Sequence, residues 1–595
     1  MLLQIPSIRS TKRAFELGKT VGNEEAGRVF NTSSKKHLET ILCEPSKLDL
    51  LHQKIRLFKK YCHYKTMAKL SKVSYNYALK HLILEGDTDL FPPAFELKAL
   101  KFNWDIVLDQ LYKLDITNYQ WSSGRRFVVP TQQLAFRTAT QLEPLDSLIL
   151  TGIIKTFGNR IEEARIPIKE KRVFSYRFDP QPDGRLYGTG SKWHEFWQTS
   201  LDKVMSNDYE WIAIADISDY YNQIYHHVLG NQLVEAKVPK SIATIIERNF
   251  LGAITHGVSR GIPVGPHSVH LLAECALIPI DRSLLSGGHD FCRYVDDFHF
   301  FCKTEEDAQI ALFNFADILD KQQRLILQKQ KTRIVHVEKF IEMAKSMLID
   351  QPLNDDEQEV IEVIKKYSSG PYENVSLSDI KEEDLEAVEE DKIVPLFEIY
   401  FASEHINYTR VGWLLRRLAQ VGAPGAIDFI LENLEDFTPV LGDVAKYIMR
   451  ASANYDGDLE DTGELILEAL DNSIIANNEY IQMILLNLFA EVKELNHIND
   501  LTKKYSKLPS SARREIILAA GTAGFGHWLK ERKDDFTTSD QWIRRAIIRS
   551  LPSFPGDEGE HWLKKIKTQL TGIEKLIVRW VLKNKNLKIG VIEIS

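Results

Sequence analysis

The chain has 595 residues, 44% of them hydrophobic and 27% charged, which describes a globular protein too long for one hydrophobic core. No run of the sequence approaches the ~18 uninterrupted apolar residues of a membrane-spanning helix, so we expect no membrane association. The net charge of −8 argues against a large, non-specific surface for duplex nucleic acid.

Cysteine usage indicates the cellular compartment. The sequence has five cysteines and no Cys-x-x-Cys pair, so a zinc site is not predicted. An odd number of cysteines and the lack of a secretory signal are typical of a reducing environment. We therefore expect a cytoplasmic protein.

The N-terminal third changes character near residue 90. Residues 48–84 are rich in Lys, Tyr, Leu and Ala at helical spacing, and Phe91-Pro-Pro-Ala94 ends that pattern. Beyond it, Leu142–Ile161 has the apolar face of a helix, and Lys171–Phe178 alternates as a β-strand does. The segment after residue 90 is therefore predicted to mix helices and strands.

Two clusters of basic residues stand out against the acidic net charge. Each is either part of a local channel for nucleic acid or ordinary solvated surface charge, and both interpretations stay open. The clusters consist of Arg125 and Arg126, and of Lys169, Lys171, Arg172 and Arg177.

An acid is predicted at the end of a buried strand in the middle of the chain. Trp211, Ile212 and Ile214 form an apolar run that delivers Asp216 at the end of the strand. Ser218 or Asp219 is then expected to cap a helix that begins around Tyr220.

A second acidic site follows 80 residues later (296 − 216). The Gly- and Pro-rich loop 257–266 leads into a helix predicted over Val269–Pro279. Residues 291–302 then read as two short apolar strands with Asp296 and Asp297 at the tip of their hairpin. Carboxylates fixed on a tight turn between buried strands are suited to hold a hard divalent cation.

The C-terminal 250 residues are predicted to be helical. The acidic stretch 354–391 is expected to form short helices with loops, although a linker is an alternative. From Val394 to Asn586 the sequence is amphipathic at helical spacing in tandem segments, as in a HEAT-like repeat array. No repeat consensus is sharp, so irregular helical packing stays open.

Taken in order, these segments resemble the motifs of reverse transcriptases over roughly residues 90 to 345. The matching positions are Arg137 in Phe136–Pro144, Asp216 in motif A, Gly261-Ile-Pro-Val-Gly265 in motif B, Tyr294-Val-Asp-Asp297 in motif C, and Lys331 in the motif D segment Leu325–Thr332. Each motif is weak alone, and the ordered set is specific.

The resemblance implies an α/β (α+β) right-hand polymerase, with fingers and palm fused to a C-terminal all-α, HEAT-like domain. The helical domain would stand where a conventional thumb is found. The implied domains are a helical N-terminal extension (1–90), fingers (91–204), palm (205–345) and the helical repeat domain (346–595).

The resemblance also implies catalytic and metal-binding roles. Two Mg²⁺ ions are expected, with Mn²⁺ as an alternative, and Lys331 would act on the leaving pyrophosphate. The implied metal ligands are the carboxylates of Asp216, Asp296 and Asp297 and the backbone carbonyl of Ile217.

Nucleotide-binding roles follow from the same resemblance. Tyr221, five residues after Asp216, is implied to be the steric gate that rejects a ribose 2′-hydroxyl and so selects dNTPs. Arg137 would bind the β- and γ-phosphates, and the backbone amides of Asp219 and Tyr220 would hold the triphosphate. The implied contacts from motif B are Gly261, Pro263 and Gly265.

One departure from the usual motif B indicates a particular group within the reverse transcriptase family. Val264 stands where the family usually has a motif B glutamine, a pattern that resembles bacterial abortive-infection and defence-associated reverse transcriptases. That resemblance implies anti-phage defence by a homo-oligomer and protein-primed, template-independent DNA synthesis, with the product attached to the protein. Two alternatives stay open, namely RNA-directed synthesis on a partner non-coding RNA and a non-catalytic scaffold or sensor with a vestigial palm.

Overall fold

The protein is described here from a computed structural model. The described residues are 68–132, 134–188, 190, 192–206, 208–348, 354–367, 375–403 and 406–584. Most of the predicted N-terminal extension, residues 1–67, lies outside them.

The chain divides into two compact units, 1–69 with 115–119, and 70–114 with 120–595. In the described part of the first unit, the N–H of Ala68 donates to the Asp115 carboxylate at 3.0 Å. The carbonyl of Ala68 accepts from the N–H of Ile116 at 2.9 Å, beside a single turn of 3₁₀-helix over Ile116–Asn118. Every element described below belongs to the second unit.

The second unit opens with helices and one β-hairpin. Its first elements are α1 (Lys72–Leu84), α2 (Glu96–Phe102), α3 (Trp104–Lys113), β1 (Arg125–Gln132), β2 (Ala135–Gln141) and α4 (Pro144–Ala164). Ser71 caps α1 by accepting from the Ser74 N–H, and Pro144 occupies the first turn of α4, where a missing N–H costs nothing. The helix predicted over Leu142–Ile161 is confirmed.

A four-stranded antiparallel sheet forms the centre of the unit. Its strands are β3 (Trp211–Asp216), β4 (Phe291–Tyr294), β5 (Asp297–Cys302) and β6 (Arg333–His336), in the order β4-β5-β3-β6. The predicted hairpin at Asp296 and Asp297 is confirmed as β4–β5, and Asp216 ends its strand as predicted.

Helices surround the sheet. They are α5 (Lys192–Ser206), α6 (Tyr220–Gln223), α7 (His226–Glu235), α8 (Lys240–Thr244), α9 (Leu251–Ile254), α10 (His267–Ser286), α11 (Glu305–Gln323) and α12 (Val337–Met347), with a π-helical turn over Ile245–Phe250. The helix predicted over Val269–Pro279 is confirmed within α10, which continues through Pro279 to Ser286.

Both faces of the sheet are covered, which explains why β5 is apolar without alternation. On one face Phe298 packs against Phe315 of α11, with ring centroids 4.4 Å apart. On the other face His299 stacks on Phe196 of α5 at 4.4 Å and meets Phe340 of α12 at 5.1 Å. A strand buried on two sides reads as a continuous apolar run, and only its end reaches the surface.

The strand predicted over Lys171–Phe178 does not form. The segment is irregular, with Lys171 and Tyr176 in left-handed conformations, and it makes only isolated bridges, from Val173 to Arg293 of the sheet and from Phe178 to Tyr187. The alternation is real but has another cause, because Ser175 points to the buried Glu274 and Arg177 to the partly exposed Glu162, instead of lying on one face of a sheet. Tertiary contacts override the local pattern here.

The region after residue 354 is helical in all its described segments. Its α-helices are α13 (Asp355–Tyr367), α14 (Glu382–Leu385), α15 (Glu390–Phe401), α16 (Tyr408–Val421), α17 (Ile427–Glu432), α18 (Leu434–Phe437), α19 (Leu441–Ala451), α20 (Leu459–Ala469), α21 (Ser473–Ala476), α22 (Glu479–Glu491), α23 (Ile498–Lys504), α24 (Ser510–Thr522), α25 (Gly526–Glu531), α26 (Gln541–Arg549), α27 (Glu558–Ile566) and α28 (Gly572–Asn584). The acidic stretch forms short helices with loops, as predicted.

Six of these helices follow one another in a packed series. Each of them contacts the next, in the order α16, α19, α22, α24, α26, α28. Such nearest-neighbour packing is what a tandem helical array produces. The HEAT-like assignment and the predicted domain boundaries at residues 90, 204 and 345 stay predictions.

The C-terminal helices pack against the segment around α2 and α4 through buried charges. Arg514 of α24 donates to Glu96 of α2 at 3.1 Å, and Arg545 of α26 donates to Glu143, just before α4, at 2.7 Å. All four side chains are buried. Buried pairs of this kind are costly to break, so the helical region is firmly attached to this earlier segment.

No helix in the described part of the chain has both the length and the apolar character needed to cross a bilayer.

Candidate active site

Three carboxylates converge at one end of the central sheet. The register of β3 and β5 places Asp216 directly opposite Asp297, and Asp296 lies in the two-residue loop between β4 and β5. Carboxylate oxygens of the three residues lie within 4.8 Å of one another. The backbone N–H of Ile217 donates to the Asp296 carbonyl at 3.2 Å, which ties the loop to the end of β3.

The electrostatics of the acid triad (Asp216, Asp296, Asp297) fit a bound cation. Burial raises the pKa of Asp296 well above its ordinary value, and the neighbouring carboxylates raise it further. The pKa of Asp297 is raised to about 7 by burial and by Asp216. Burial also raises the pKa of Asp216. A divalent cation would neutralise this crowded charge with the oxygen ligands it prefers.

Lys331 lies beside the triad. Its Nζ is 3.5 Å from Oδ2 of Asp216, and its side chain is 58% exposed. Burial opposes the charge of Lys331, but Asp216 and Asp297 outweigh it and the pKa of Lys331 is raised. The segment before it is held to β3, since the Gln328 N–H donates to the Asp216 carbonyl at 2.7 Å. The ammonium group is therefore fixed near the acids and remains accessible from solvent.

The hairpin that carries Asp296 has a strained residue at its tip. Val295 has a φ of +55°, a left-handed conformation that is costly for a β-branched residue. The backbone of Val295 is held on both sides, because its N–H donates to Ser175 Oγ at 2.9 Å and its carbonyl accepts from Arg293 at 3.2 Å. These two contacts hold the turn in the conformation that presents Asp296.

A buried ion network (Arg165, Glu274, Asp281, Arg293) lies beneath the hairpin. Arg293 makes two 2.6 Å hydrogen bonds to Asp281 and one of 2.9 Å to Glu274, which also accepts from Arg165 at 2.6 Å. Burial would raise the pKa of Glu274, but the two guanidinium groups outweigh it and lower that pKa. Ser175 joins the network by donating to Glu274 at 2.5 Å.

Sequence analysis missed this network, although the sequence carries a signal for it. Arg293 interrupts an apolar strand, Glu274 interrupts the apolar run Leu271–Ile280, and Asp281 directly follows that run. Charged residues in such runs are buried only when they are paired.

Tyr221 lies on α6, which begins four residues after Asp216. Its hydroxyl lies 2.8 Å from Nδ1 of His270 on α10. The two rings are 6.0 Å apart and nearly perpendicular, at 80°. His270 was not among the predicted site residues, and a lone histidine in a predicted helix gave no reason to select it.

Asp219 and Tyr220 begin the same short helix. Asp219 is the N-cap residue, in a left-handed conformation with φ 51°, but its carboxylate caps no backbone N–H. It accepts instead from the side chains of Asn222 at 2.7 Å and Gln223 at 3.2 Å. Tyr220 is buried and donates to the Ala273 carbonyl at 2.6 Å, so its side chain belongs to the core.

The two motif B glycines are required by their surroundings. Gly261 has a φ of +95°, and its carbonyl accepts from the buried His226 at 2.7 Å. Gly265 has a φ of +119°, and a Cβ there would lie 3.1 Å from Thr88 Oγ1. Pro263, between them, is buried. The loop is thus packed tightly against its protein neighbours.

Arg137 lies on β2, opposite Val129 of β1, and is exposed. The positive charge of Arg137 lowers the pKa of His270, although burial and the charge of His267 lower it more. The backbone next to it is tied to motif B, since the Thr140 N–H donates to the Val264 carbonyl at 2.8 Å. The hairpin that carries Arg137 is therefore tied to the motif B loop.

Neither basic cluster as a whole forms an open channel, because each contains an arginine that makes contacts within the fold. The Arg125 guanidinium stacks on Trp542 at 3.9 Å and donates to Gln141. Arg177 is buried and paired with Glu162. These two arginines hold the fold together. The exposed members of the clusters are Arg126, Lys169 and Lys171.

Residues 159–370 match the family profile described as reverse transcriptase (RNA-dependent DNA polymerase). The matched range contains the acid triad, Tyr221, motif B and Lys331, and it excludes Arg137. No curated protein matches the chain.

Among solved structures, the chain is similar to apo telomerase from Candida tropicalis, with 11% identity over 78% of this chain and 73% of that one and a TM-score of 0.29. It is also similar to telomerase from Candida albicans in complex with a fragment of telomeric RNA, with 12% identity over 80% and 79% of the two chains and a TM-score of 0.29. These similarities are too weak to support an inference about this chain.

The chain therefore contains a reverse transcriptase domain and is a nucleotidyltransferase of the RNA-directed DNA polymerase type. Its three clustered acids are suited to hold divalent metal.

Proposed function

We propose that this protein is a Mg²⁺-dependent DNA polymerase that adds deoxynucleotides from dNTPs. The observation that carries the proposal is the convergence of Asp216, Asp296 and Asp297 within 4.8 Å at the end of the sheet. Burial raises the pKa of all three acids, and the neighbouring carboxylates raise it further for Asp296 and Asp297, so a bound metal would relieve crowded, desolvated charge.

The residues that would hold two Mg²⁺ ions are Asp216, Ile217 through its carbonyl, Asp296 and Asp297. When bound, the ions would activate the attacking hydroxyl and neutralise the leaving phosphate oxygens. Lys331 holds a proton within reach of the same site, where it can approach the pyrophosphate. Mn²⁺ has the same preference for oxygen ligands and is an alternative ion.

The nucleotide would lie between the palm and the fingers hairpin. Arg137 supplies a guanidinium for the β- and γ-phosphates, and the backbone amides of Asp219 and Tyr220 face the triphosphate. The ring of Tyr221 limits the space beneath the sugar, so a 2′-hydroxyl is rejected. Gly261, Pro263 and Gly265 would shape the opposite wall.

We further propose that synthesis is protein-primed and template-independent, and that it serves anti-phage defence in a bacterial cytoplasm. The support is the resemblance of motif B to defence-associated reverse transcriptases. The hydrocarbon side chain of Val264 offers no polar contact to a template base. The same resemblance supports a homo-oligomer with DNA covalently attached to it.

A priming residue must present its hydroxyl to the acid triad. Two tyrosines of the helical region do not meet this requirement in the described conformation. The Tyr447 hydroxyl is buried and accepts from the Ala426 N–H at 3.0 Å, and the Tyr480 hydroxyl donates to the Leu90 carbonyl at 2.9 Å. Tyr447 and Tyr480 are therefore not proposed as priming residues.

The second candidate is DNA synthesis on a partner non-coding RNA. It is favoured by the profile match, whose description is an RNA-dependent DNA polymerase. A vestigial, non-catalytic palm is disfavoured, because three crowded, desolvated acids destabilise a fold and a scaffold gains nothing from them.

The test is to incubate purified protein with Mg²⁺ and labelled dNTPs, without added nucleic acid, before and after RNase and protease treatment. Label that survives RNase and is released by protease supports protein priming. Activity abolished by RNase pretreatment supports a bound RNA template. Absence of incorporation with and without cellular RNA would contradict the polymerase proposal.

A further inference from the structure

The hydroxyl of the proposed gate residue is tethered. Tyr221 lies on α6, a helix of only four residues, and its hydroxyl is 2.8 Å from Nδ1 of His270. The bond joins two elements 49 residues apart in sequence. It therefore fixes the free end of the tyrosine ring, and not only its Cα.

His270 is itself held in place. Its ring stacks on Tyr176 with centroids 4.0 Å apart and an interplanar angle of 10°. Tyr187 and His267 lie beside it, with ring centroids at 6.4 Å and 6.1 Å. Tyr187 in turn donates from its hydroxyl to the His267 carbonyl at 2.6 Å. An acceptor confined on several sides holds its partner more firmly than a mobile one does.

The protonation states are compatible with a lasting hydrogen bond. Burial and the charge of His267 lower the pKa of His270 to about 3. Burial raises the pKa of Tyr221 well above its ordinary value. Both groups are thus neutral at working pH, and with hydrogen on Nε2 the His270 Nδ1 accepts from the tyrosine hydroxyl.

The pair also lies close to the proposed nucleotide site. The positive charge of Arg137 acts on His270. Tyr221 lies five residues after Asp216, the last residue of β3, on the short helix α6 that begins at Tyr220. A sugar positioned between Arg137 and the acids would lie against the tethered ring.

We propose that His270 is a specificity-determining positioning residue, which excludes ribonucleoside triphosphates by preventing the Tyr221 ring from yielding to a 2′-hydroxyl. This inference rests on the proposed gate role of Tyr221. A steric gate discriminates only as well as it resists displacement. A ring that pivots on a short helix offers little resistance, whereas a ring fixed at both ends must break a hydrogen bond to move.

The experiment compares the ratio of kcat/KM for a dNTP to that for the matching rNTP in a set of variants. His270→Leu and Tyr221→Phe each remove the hydrogen bond and keep the volume. We expect each to lower the ratio by up to about tenfold, as the loss of one hydrogen bond allows. The double variant should lower it no further, since both changes remove the same bond.

Three further variants distinguish the effect of the hydrogen bond from the effect of the Tyr221 ring itself. His270→Gln keeps an acceptor and should retain most of the discrimination, which a purely structural role would not require. Tyr221→Ala removes the gate and should lower the ratio most. His227→Ala, on the exposed face of α7, is the matched control and should leave the ratio unchanged.

An unchanged ratio in both His270→Leu and Tyr221→Phe, with a large loss in Tyr221→Ala, would overturn the role of His270 and leave the gate intact. An unchanged ratio in Tyr221→Ala would reject the gate and this inference together. Wild-type protein that incorporates neither class of nucleotide would reject the proposed function itself. If His270→Leu fails to fold, Tyr221→Phe tests the same bond.

Discussion

The backbone N–H of Val295 donates a 2.9 Å hydrogen bond to the hydroxyl of Ser175, 120 residues earlier in the chain. Val295 is in a left-handed conformation, so the contact holds a strained turn. Because Asp296 is the next residue, the position of its carboxylate depends on a segment outside the sheet. The hairpin that carries Asp296 is thus supported by a tertiary contact that its own sequence does not specify.

Ser175→Ala is expected to reduce activity more than stability. The change removes the anchor of Val295, and strain of about 1–3 kcal/mol then favours other conformations of the turn. We expect kcat to fall roughly tenfold, with an unfolding midpoint that changes by a few degrees. Ser286→Ala, at an exposed helix position, is the control. Wild-type kcat in Ser175→Ala would contradict the anchoring role.

Arg293→Met should destabilise the folded protein strongly. Arg293 is fully buried, and its loss leaves Glu274 and Asp281 without their shared partner in the core. Breaking a buried ion network in this way costs about 3–5 kcal/mol. Denaturant unfolding measures the loss, and Arg324→Met, an exposed arginine at the end of α11, should change little. A loss below about 1 kcal/mol would show that the network is not held together by Arg293.

The acid triad makes the metal-free protein sensitive to pH. A carboxyl whose pKa is raised on folding binds its proton more tightly in the folded state. The stability it contributes is present below the ordinary pKa of about 4 and is lost as the pH rises through the folded value, about 7 for Asp297. We therefore expect metal-free protein to melt at a lower temperature at pH 8 than at pH 6.

Asp296→Asn should reduce this pH dependence. The substitution removes one negative charge from the cluster, so the metal-free variant should be more stable than wild type at pH 8. Thermal melts in a chelator at the two pH values check this. Glu338→Gln, an exposed acid on α12, is the matched control. A variant less stable than wild type at pH 8 would mean that Asp296 stabilises the fold.

Lys331→Gln is expected to slow catalysis without abolishing dNTP binding. Its ammonium group lies 3.5 Å from Asp216 and is the cation closest to the acids in the described contacts. General-acid contributions are typically ~10²–10⁴-fold, so kcat should fall by about 10²-fold or more with a smaller change in KM. Lys329→Gln, an exposed neighbour in the same segment, controls for local charge. Equal effects of the two variants would reject a specific role for Lys331.

Much of the site could be predicted because its signals are local. An apolar run ends in Asp216, and two short apolar strands flank Asp296 and Asp297. Both patterns indicate where acidic residues follow the strands of a buried sheet. The strands are continuous in apolar residues because both faces are covered, and this pattern survives in the sequence alone. The motif D segment likewise carries Lys331 to the triad.

The parts that were missed depend on tertiary contacts. His270 and Ser175 look ordinary in sequence, and Glu274 shows only as a charge in an apolar run. Their roles arise only when α10 and the segment at residue 175 pack beneath the hairpin. The prediction of a strand over Lys171–Phe178 was wrong for the same reason, because the inward side chains of this segment contact acidic residues instead of lying on one face of a sheet. A resemblance between motifs aligns the residues that touch substrate and says little about what supports them.

The central claim is that Asp216, Asp296 and Asp297 form a metal site for nucleotidyl transfer. The most direct measurement is incorporation of labelled dNTP by wild type and by Asp296→Asn, at matched folding, with Mg²⁺ and with a chelator. We predict incorporation only by the wild type and only with the divalent ion. Incorporation by folded Asp296→Asn at the wild-type rate, or by the wild type in the chelator, would contradict the claim.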